Sequence, residues 1–173
     1  MLNSQDDTII FIHGLESSGK GFKGRFFKEI FPHILTPDFQ PFDPNIPMYD
    51  ILEKRMIQLY RILNFKNSLV LIGSSFGGLM ASIFALQHPL RVKKMILLAP
   101  FLVSRKLKPR NYSPIDVPVI VFHGKNDKVV QYEHARERAR LLFTNLRYKI
   151  VEDDHFLHTT IKSLNWPKLV FNS

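Results

Sequence analysis

Residues 69–86 read Leu-Val-Leu-Ile-Gly-Ser-Ser-Phe-Gly-Gly-Leu-Met-Ala-Ser-Ile-Phe-Ala-Leu. The opening run, Leu69 to Ile72, has the unbroken apolar character of a strand buried on both faces, and Leu79 to Leu86 is rich in the Ala, Leu and Met that favour helix. Between them lies Gly73-Ser74-Ser75-Phe76-Gly77, which fits the G-x-S-x-G pattern of a serine carried on a sharp strand-to-helix turn. A serine held this way crowds the positions two residues before and after it, and Gly73 and Gly77 remove the side chains there. The turn also sets Ser75 at the start of a helix, where unpaired N–H groups and the helix dipole favour a developing negative charge. The pentapeptide alone is also compatible with an ordinary βα turn, so the rest of the chain must supply a base and an acid.

Short apolar runs recur on both sides of this stretch. Thr8 to Ile12 ends in His13-Gly14 and leads through a Gly/Ser loop to a helical stretch from Phe22 to Ile30. His33 to Thr36 reads as a short second strand, and Pro37, Pro41, Pro44 and Pro47 make the following segment an irregular loop. Met48 to Leu63 places apolar residues at helical spacing around charged ones, the pattern of an amphipathic helix. Beyond the central stretch, Lys94 to Leu98, Val117 to Phe122 and Arg147 to Val151 read as strands, with helices over Tyr132 to Phe143 and Phe156 to Leu164. This alternation predicts one α/β domain over residues 1–173, a three-layer α/β/α sandwich on a mostly parallel sheet of about six strands. Right-handed crossovers then put every strand C-terminus on one edge of the sheet, where sites form.

Two further residues fall on that edge. Asp127 lies three residues past Gly124, at the end of a predicted strand, and His155 lies just past the last strand. The chain order Ser75, Asp127, His155 is the order of the Ser-Asp-His arrangement built on this class of sheet. Taken alone, Asp127 also suits a turn or helix cap, and His158 and His123 compete with His155 for the role of base. A different chemistry is suggested by Gly14-Leu15-Glu16-Ser17-Ser18-Gly19-Lys20-Gly21, which nearly fits a phosphate-cradling P-loop but has Gly21 where a metal-binding hydroxyl belongs. A non-catalytic binding module on the same fold is the third reading.

Composition narrows the classes. With 45% hydrophobic residues and 15 Phe, the chain can build a sizeable core, and the absence of cysteine excludes disulfides, thiolate catalysis and Cys-ligated zinc. The net charge of +9 is spread along the chain, densest at Arg105 to Arg110, without a nucleic-acid-binding motif; a solvated basic face with no nucleic-acid partner is expected. The first residues carry no basic, apolar leader and the longest apolar run, Met95 to Val103, contains Pro100, so a cytoplasmic protein without a membrane span is expected.

The blocks His13-Gly14-Leu15-Glu16-Ser17-Ser18, Gly73 to Gly78, Gly124 to Val130 and Asp154-His155-Phe156 together resemble those of small α/β-hydrolases of the YqiA-type esterase group, over essentially the whole chain. The resemblance implies an ester hydrolase needing no cofactor or metal, with Ser75 as nucleophile, His155 as base and Asp127 orienting it. It further implies an oxyanion site made by the backbone N–H of Phe76 and that of Leu15, the latter with Glu16 as its rival. The two strands that open the full family fold are expected to be absent before His13-Gly14. Only Phe101 to Asp116 separates two strands where larger relatives insert a cap, so no cap domain and a preference for short acyl esters are expected.

Overall fold

The computed structural model describes residues 7–172. Five parallel strands, β1 (Thr8–Ile12), β2 (Leu69–Ser74), β3 (Val92–Leu98), β4 (Val119–Gly124) and β5 (Leu146–Val151), pair in sequence order to form one sheet. The helices are α1 (Phe22–Ile30), α2 (Met48–Ile62), α3 (Phe76–Gln87), α4 (Tyr132–Leu142), α5 (His158–Ser163) and α6 (Trp166–Phe171).

Side-chain alternation along the strands assigns the helices to two layers. Ile10, Ile12, Leu69, Leu71, Met95, Leu97, Val119 and Val121 share one core with α2, α3 and α4. Their neighbours Phe11, Val70, Ile72, Ile96, Leu98, Ile120 and Phe122 share the other with α1, α5 and α6. Because both faces of the middle strands are covered, β2 and β4 are buried throughout, which is why they read as unbroken apolar runs. Helix α3 is buried on nearly all sides, and correspondingly carries no charged residue.

The sheet has five strands and not the expected six. The segment His33–Thr36 makes a single bridge, in which the Leu35 N–H donates to the Ile9 carbonyl and the Leu35 carbonyl accepts from Phe11. Pro32 and Pro37 flank it closely, and since proline lacks an N–H and restricts its neighbour, the ladder cannot extend. At the C-terminus, the expected helix from Phe156 begins later, at His158, because Leu157 takes a left-handed conformation (φ 56°, ψ 30°). Helix α6 was not anticipated. It starts with Trp166-Pro167, proline being tolerated in a first turn, and the Asn165 side chain caps it by accepting from the Lys168 N–H at 3.0 Å. Trp166 anchors it edge-on against Phe27 and donates its ring N–H to the Ile161 carbonyl at 2.8 Å. Residues 99–118 connect β3 to β4 with no more than a short 3₁₀ turn, so the described chain has no cap domain. No helix among the described residues is long and apolar enough to cross a membrane.

Backbone meets backbone closely where α3 leaves the sheet. A Cβ at Gly77 would lie 2.0 Å from the Ile12 carbonyl oxygen, and one at Gly73 would lie 2.7 Å from the Gly77 carbonyl oxygen. At Gly14 the nearest atoms would be 3.6 Å away, an ordinary contact. Gly77→Ala is therefore expected to cost about 3 kcal/mol or prevent folding, because backbone cannot yield as a side-chain tip can. Gly14→Ala should cost far less. Denaturant midpoints of the two variants check the difference, and equal costs would show that the β1–α3 contact is not the constraint.

Candidate active site

Strand β2 delivers Ser75 in a conformation that L-residues rarely adopt, φ 53° and ψ −113°. Its backbone is held from both sides. The Ser75 N–H donates to the Leu98 carbonyl at 2.9 Å, and its own carbonyl accepts from Gly78, Leu79 and Phe101 at 2.9, 3.2 and 3.0 Å. Neighbouring Ser74 is the last residue of β2 and is nearly buried.

The three residues singled out from the sequence meet in one hydrogen-bonded line. His155 Nε2 lies 3.0 Å from Ser75 Oγ, and His155 Nδ1 lies 2.7 Å from Asp127 Oδ2. Asp127 makes two sets of contacts, one within its own turn and one to His155. Its Oδ1 accepts from the Val129 and Val130 N–H groups at 2.8 Å each, closing its own turn, while Oδ2 faces His155. Burial alone would raise the Asp127 pKa, but the hydrogen bonds from His123, His155, Val130 and Val129 outweigh it and hold the carboxyl well below the usual carboxylate range. With Asp127 ionised, His155 Nδ1 must carry the proton that joins them, which leaves Nε2 as the acceptor for the Ser75 hydroxyl.

His123, a rival to His155 by sequence, lies instead behind Asp127. Its Nε2 is 3.0 Å from Asp127 Oδ2 and 2.9 Å from the Val130 carbonyl, two acceptors that require a proton on that nitrogen. Its Nδ1 then accepts from the Tyr148 hydroxyl at 2.6 Å; burial pushes the Tyr148 pKa up, so the phenol keeps its proton. This His123–Tyr148 support was missed in the sequence, where a histidine four residues before Asp127 was the available signal. The His158 ring lies tilted against the Phe22 ring, 4.5 Å between centres, and has no hydrogen bond to Ser75 or Asp127 among the described residues.

The loop bearing His155 is braced on both sides. Asp153 Oδ2 accepts from the Thr160 N–H and hydroxyl at 2.8 Å each, and Asp154 Oδ1 accepts from the Phe156 N–H at 2.8 Å. Gly124 lets the loop pass close, since a Cβ there would lie 2.4 Å from the Asp154 carbonyl oxygen.

Ser75 and His155 open into a cleft of about 570 Å³. Its walls include Leu15, Phe22, Phe101, Val129 and Phe156, with Glu16 and Lys23 as charged groups. Burial lowers the Lys23 pKa to about 8, against the opposing pull of Asp154 and Asp153. Leu15 and Phe76 both line the cleft, and their N–H groups have no partner among the described residues. Phe39 packs against His13 and does not line the cleft, nor do Phe42 or the basic residues Arg105 to Arg110. In the P-loop-like segment, the Gly19 N–H donates to Asp38 Oδ1 at 2.7 Å. That N–H is thus already paired with a carboxylate and is not free to cradle a phosphate.

The alpha/beta hydrolase family model matches residues 51–159, more than half of the chain. No curated protein matches the sequence. Among solved structures, a protein of Pectobacterium atrosepticum described as a YdeN-like hydrolase is 22% identical, with 96% of this chain and 88% of that chain covered and a TM-score of 0.70. Alpha/beta hydrolase domain-containing protein 10 from mouse is 19% identical over 94% of this chain and 90% of its own, TM-score 0.70. The Bacillus cereus carboxylesterase is 17% identical over 98% and 91%, again with a TM-score of 0.70. At these identities the likeness is one of fold.

The environment of Asp127 makes a pH prediction. Its folded pKa lies below the ordinary 3.8, so it stabilises the native state at neutral pH, and this contribution is lost as pH falls from about 5 towards and through the folded value. Denaturant midpoints should fall between pH 5 and pH 3 more steeply for the wild type than for Asp127→Asn; parallel profiles would mean that the carboxylate is not held as described.

Proposed function

Starting from the chain's membership of the alpha/beta hydrolase family, we propose that it is a serine hydrolase of carboxylic esters with short acyl chains, acting through Ser75, His155 and Asp127. The observation that carries the proposal is the continuous line Ser75 Oγ, His155, Asp127 opening into a cleft at the C-terminal edge of the sheet.

The proposed steps follow from the hydrogen bonds. His155 Nε2 takes the Ser75 proton as Oγ attacks the acyl carbonyl, and the ionised Asp127 steadies the imidazolium that forms. The oxyanion is received by the Phe76 N–H and by that of Leu15. His155 then protonates the leaving alcohol, and a water molecule, deprotonated in turn by His155, releases the acid from Ser75. No step calls for a metal or cofactor.

The preference for short acyl groups rests on the cleft. It is open, without a covering domain in residues 99–118, so the distal methylenes of a long acyl chain would stay in water. Each of these forfeits about 0.8 kcal/mol of binding. Thioesters of the same size meet the same machinery.

The proposal is tested with p-nitrophenyl esters of increasing chain length. kcat/KM should peak at short chains, Ser75→Ala should lower turnover by about a thousandfold or more while the fold persists, and Ser74→Ala should cost far less. A fluorophosphonate should label Ser75. A rise in kcat/KM to long chains would contradict the short-acyl proposal, and equal losses at the two serines would contradict the assignment of the nucleophile.

A further inference from the structure

Arg55 is one of the charged residues of the amphipathic helix α2, yet it is 0% exposed. No carboxylate pairs with it among the described residues. Instead its Nε donates to the Gln40 carbonyl at 2.8 Å, Nη1 to the Gly14 carbonyl at 3.2 Å and Nη2 to the Leu15 carbonyl at 2.7 Å. Its guanidinium also lies 5.5 Å from the centre of the Phe76 ring. One side chain therefore touches both residues whose N–H groups are proposed to receive the oxyanion.

We propose that Arg55 is the positioning residue of the oxyanion site: it fixes the peptide planes at 14–16 so that their N–H groups face Ser75. The inference rests on the serine-hydrolase reading above. In a trans peptide, C=O and N–H point in opposite directions across one plane. The Gly14 carbonyl turned onto Arg55 therefore turns the Leu15 N–H away from it, and the Leu15 carbonyl does the same for the Glu16 N–H. Both rival donors thus hang from the same guanidinium. Gly14 is held additionally by His13, whose Nδ1 lies 2.8 Å from the same carbonyl.

The choice of a cation matters as well as its shape. Burial lowers the Arg55 pKa to about 10, so the group remains charged at neutral pH. A positive charge on the carbonyl end of a peptide polarises it and makes its N–H a stronger donor in this water-poor setting. An apolar side chain would fill the same volume without the cost of desolvating a charge. The three nitrogens of the planar guanidinium each meet one carbonyl, of Gln40, Gly14 and Leu15, a spread that the single nitrogen of a lysine ammonium does not reproduce.

The test compares wild type, Arg55→Met, Arg55→Lys and Ser75→Ala with p-nitrophenyl acetate, together with a trifluoromethyl ketone and the matching methyl ketone. The trifluoromethyl ketone forms a tetrahedral adduct with the serine and needs the oxyanion site; the methyl ketone reports ground-state binding. For Arg55→Met, kcat should fall roughly tenfold to a hundredfold with KM within about twofold, and trifluoromethyl ketone affinity should fall in step while methyl ketone affinity holds. Arg55→Lys should lie between, and it carries the test if Arg55→Met does not fold. Wild-type kcat in Arg55→Lys, or equal loss of affinity for both ketones, would overturn the inference. Ser75→Ala with undiminished turnover would overturn instead the hydrolase reading beneath it.

Discussion

The backbone of Ser75 is the constraint on which the site depends. A non-glycine residue at φ 53° is unfavourable by about 1–3 kcal/mol and persists only where its surroundings leave it no alternative. Here the alternatives are removed by contact. Gly73 and Gly77 bring β1, β2 and the first turn of α3 to backbone-on-backbone distance, and the chain after β3 clamps Ser75 through Leu98 and Phe101. The hydroxyl is held forward because the backbone beneath it cannot relax, and the site draws its rigidity from the most deeply buried part of the sheet.

Two buried charges flank this turn, and the chain treats them alike. Asp127 is surrounded by N–H donors from Val129, Val130, His123 and His155, whereas Arg55 is surrounded by the carbonyls of Gln40, Gly14 and Leu15. Among the described residues, neither forms an ion pair with an oppositely charged side chain of fixed sign. Pairing them would have joined their charges and cancelled the field that each exerts. Kept apart, the negative group faces the imidazole that is proposed to gain a positive charge. The positive group faces the peptides proposed to receive a negative one.

Much of this was legible in the sequence, and for definable reasons. The strands β2 and β4 are buried on both faces and so carry unbroken apolar runs, and the G-x-S-x-G turn is set by sterics within five residues. Ser75, Asp127 and His155 each follow a strand, so placing the strands placed the residues on one edge. Signals that depend on neighbours distant in the chain were lost. His33–Thr36 has a strand-like composition, but prolines on both sides confine it to one bridge. The six-residue helix α6 depends on Trp166 packing against Phe27, a contact invisible to local periodicity. The burial of Arg55 was not legible because its partners are backbone carbonyls 15, 40 and 41 residues away, and such carbonyls leave no signature in side-chain type.

Five strands suffice because the site uses every strand exit in turn. The loop after β1 brings Leu15, β2 ends at Ser75, the chain leaving β3 braces the Ser75 backbone, the turn after β4 carries Asp127, and the loop after β5 carries His155. Neighbouring strands are about 4.8 Å apart, so β5 lies some three spacings from β2, too far for a histidine side chain to cross unaided. The loop after β5 must therefore fold back over the β4 edge, and Gly124 allows this by letting the Asp154 backbone lie directly on it. The returning histidine then meets Asp127 in the turn after β4, so one carboxylate both closes its own turn and bonds the imidazole. A substitution that widened the Gly124–Asp154 contact would move His155 away from Ser75 without touching either residue, so in this small fold the spacing of the sheet itself becomes part of the site.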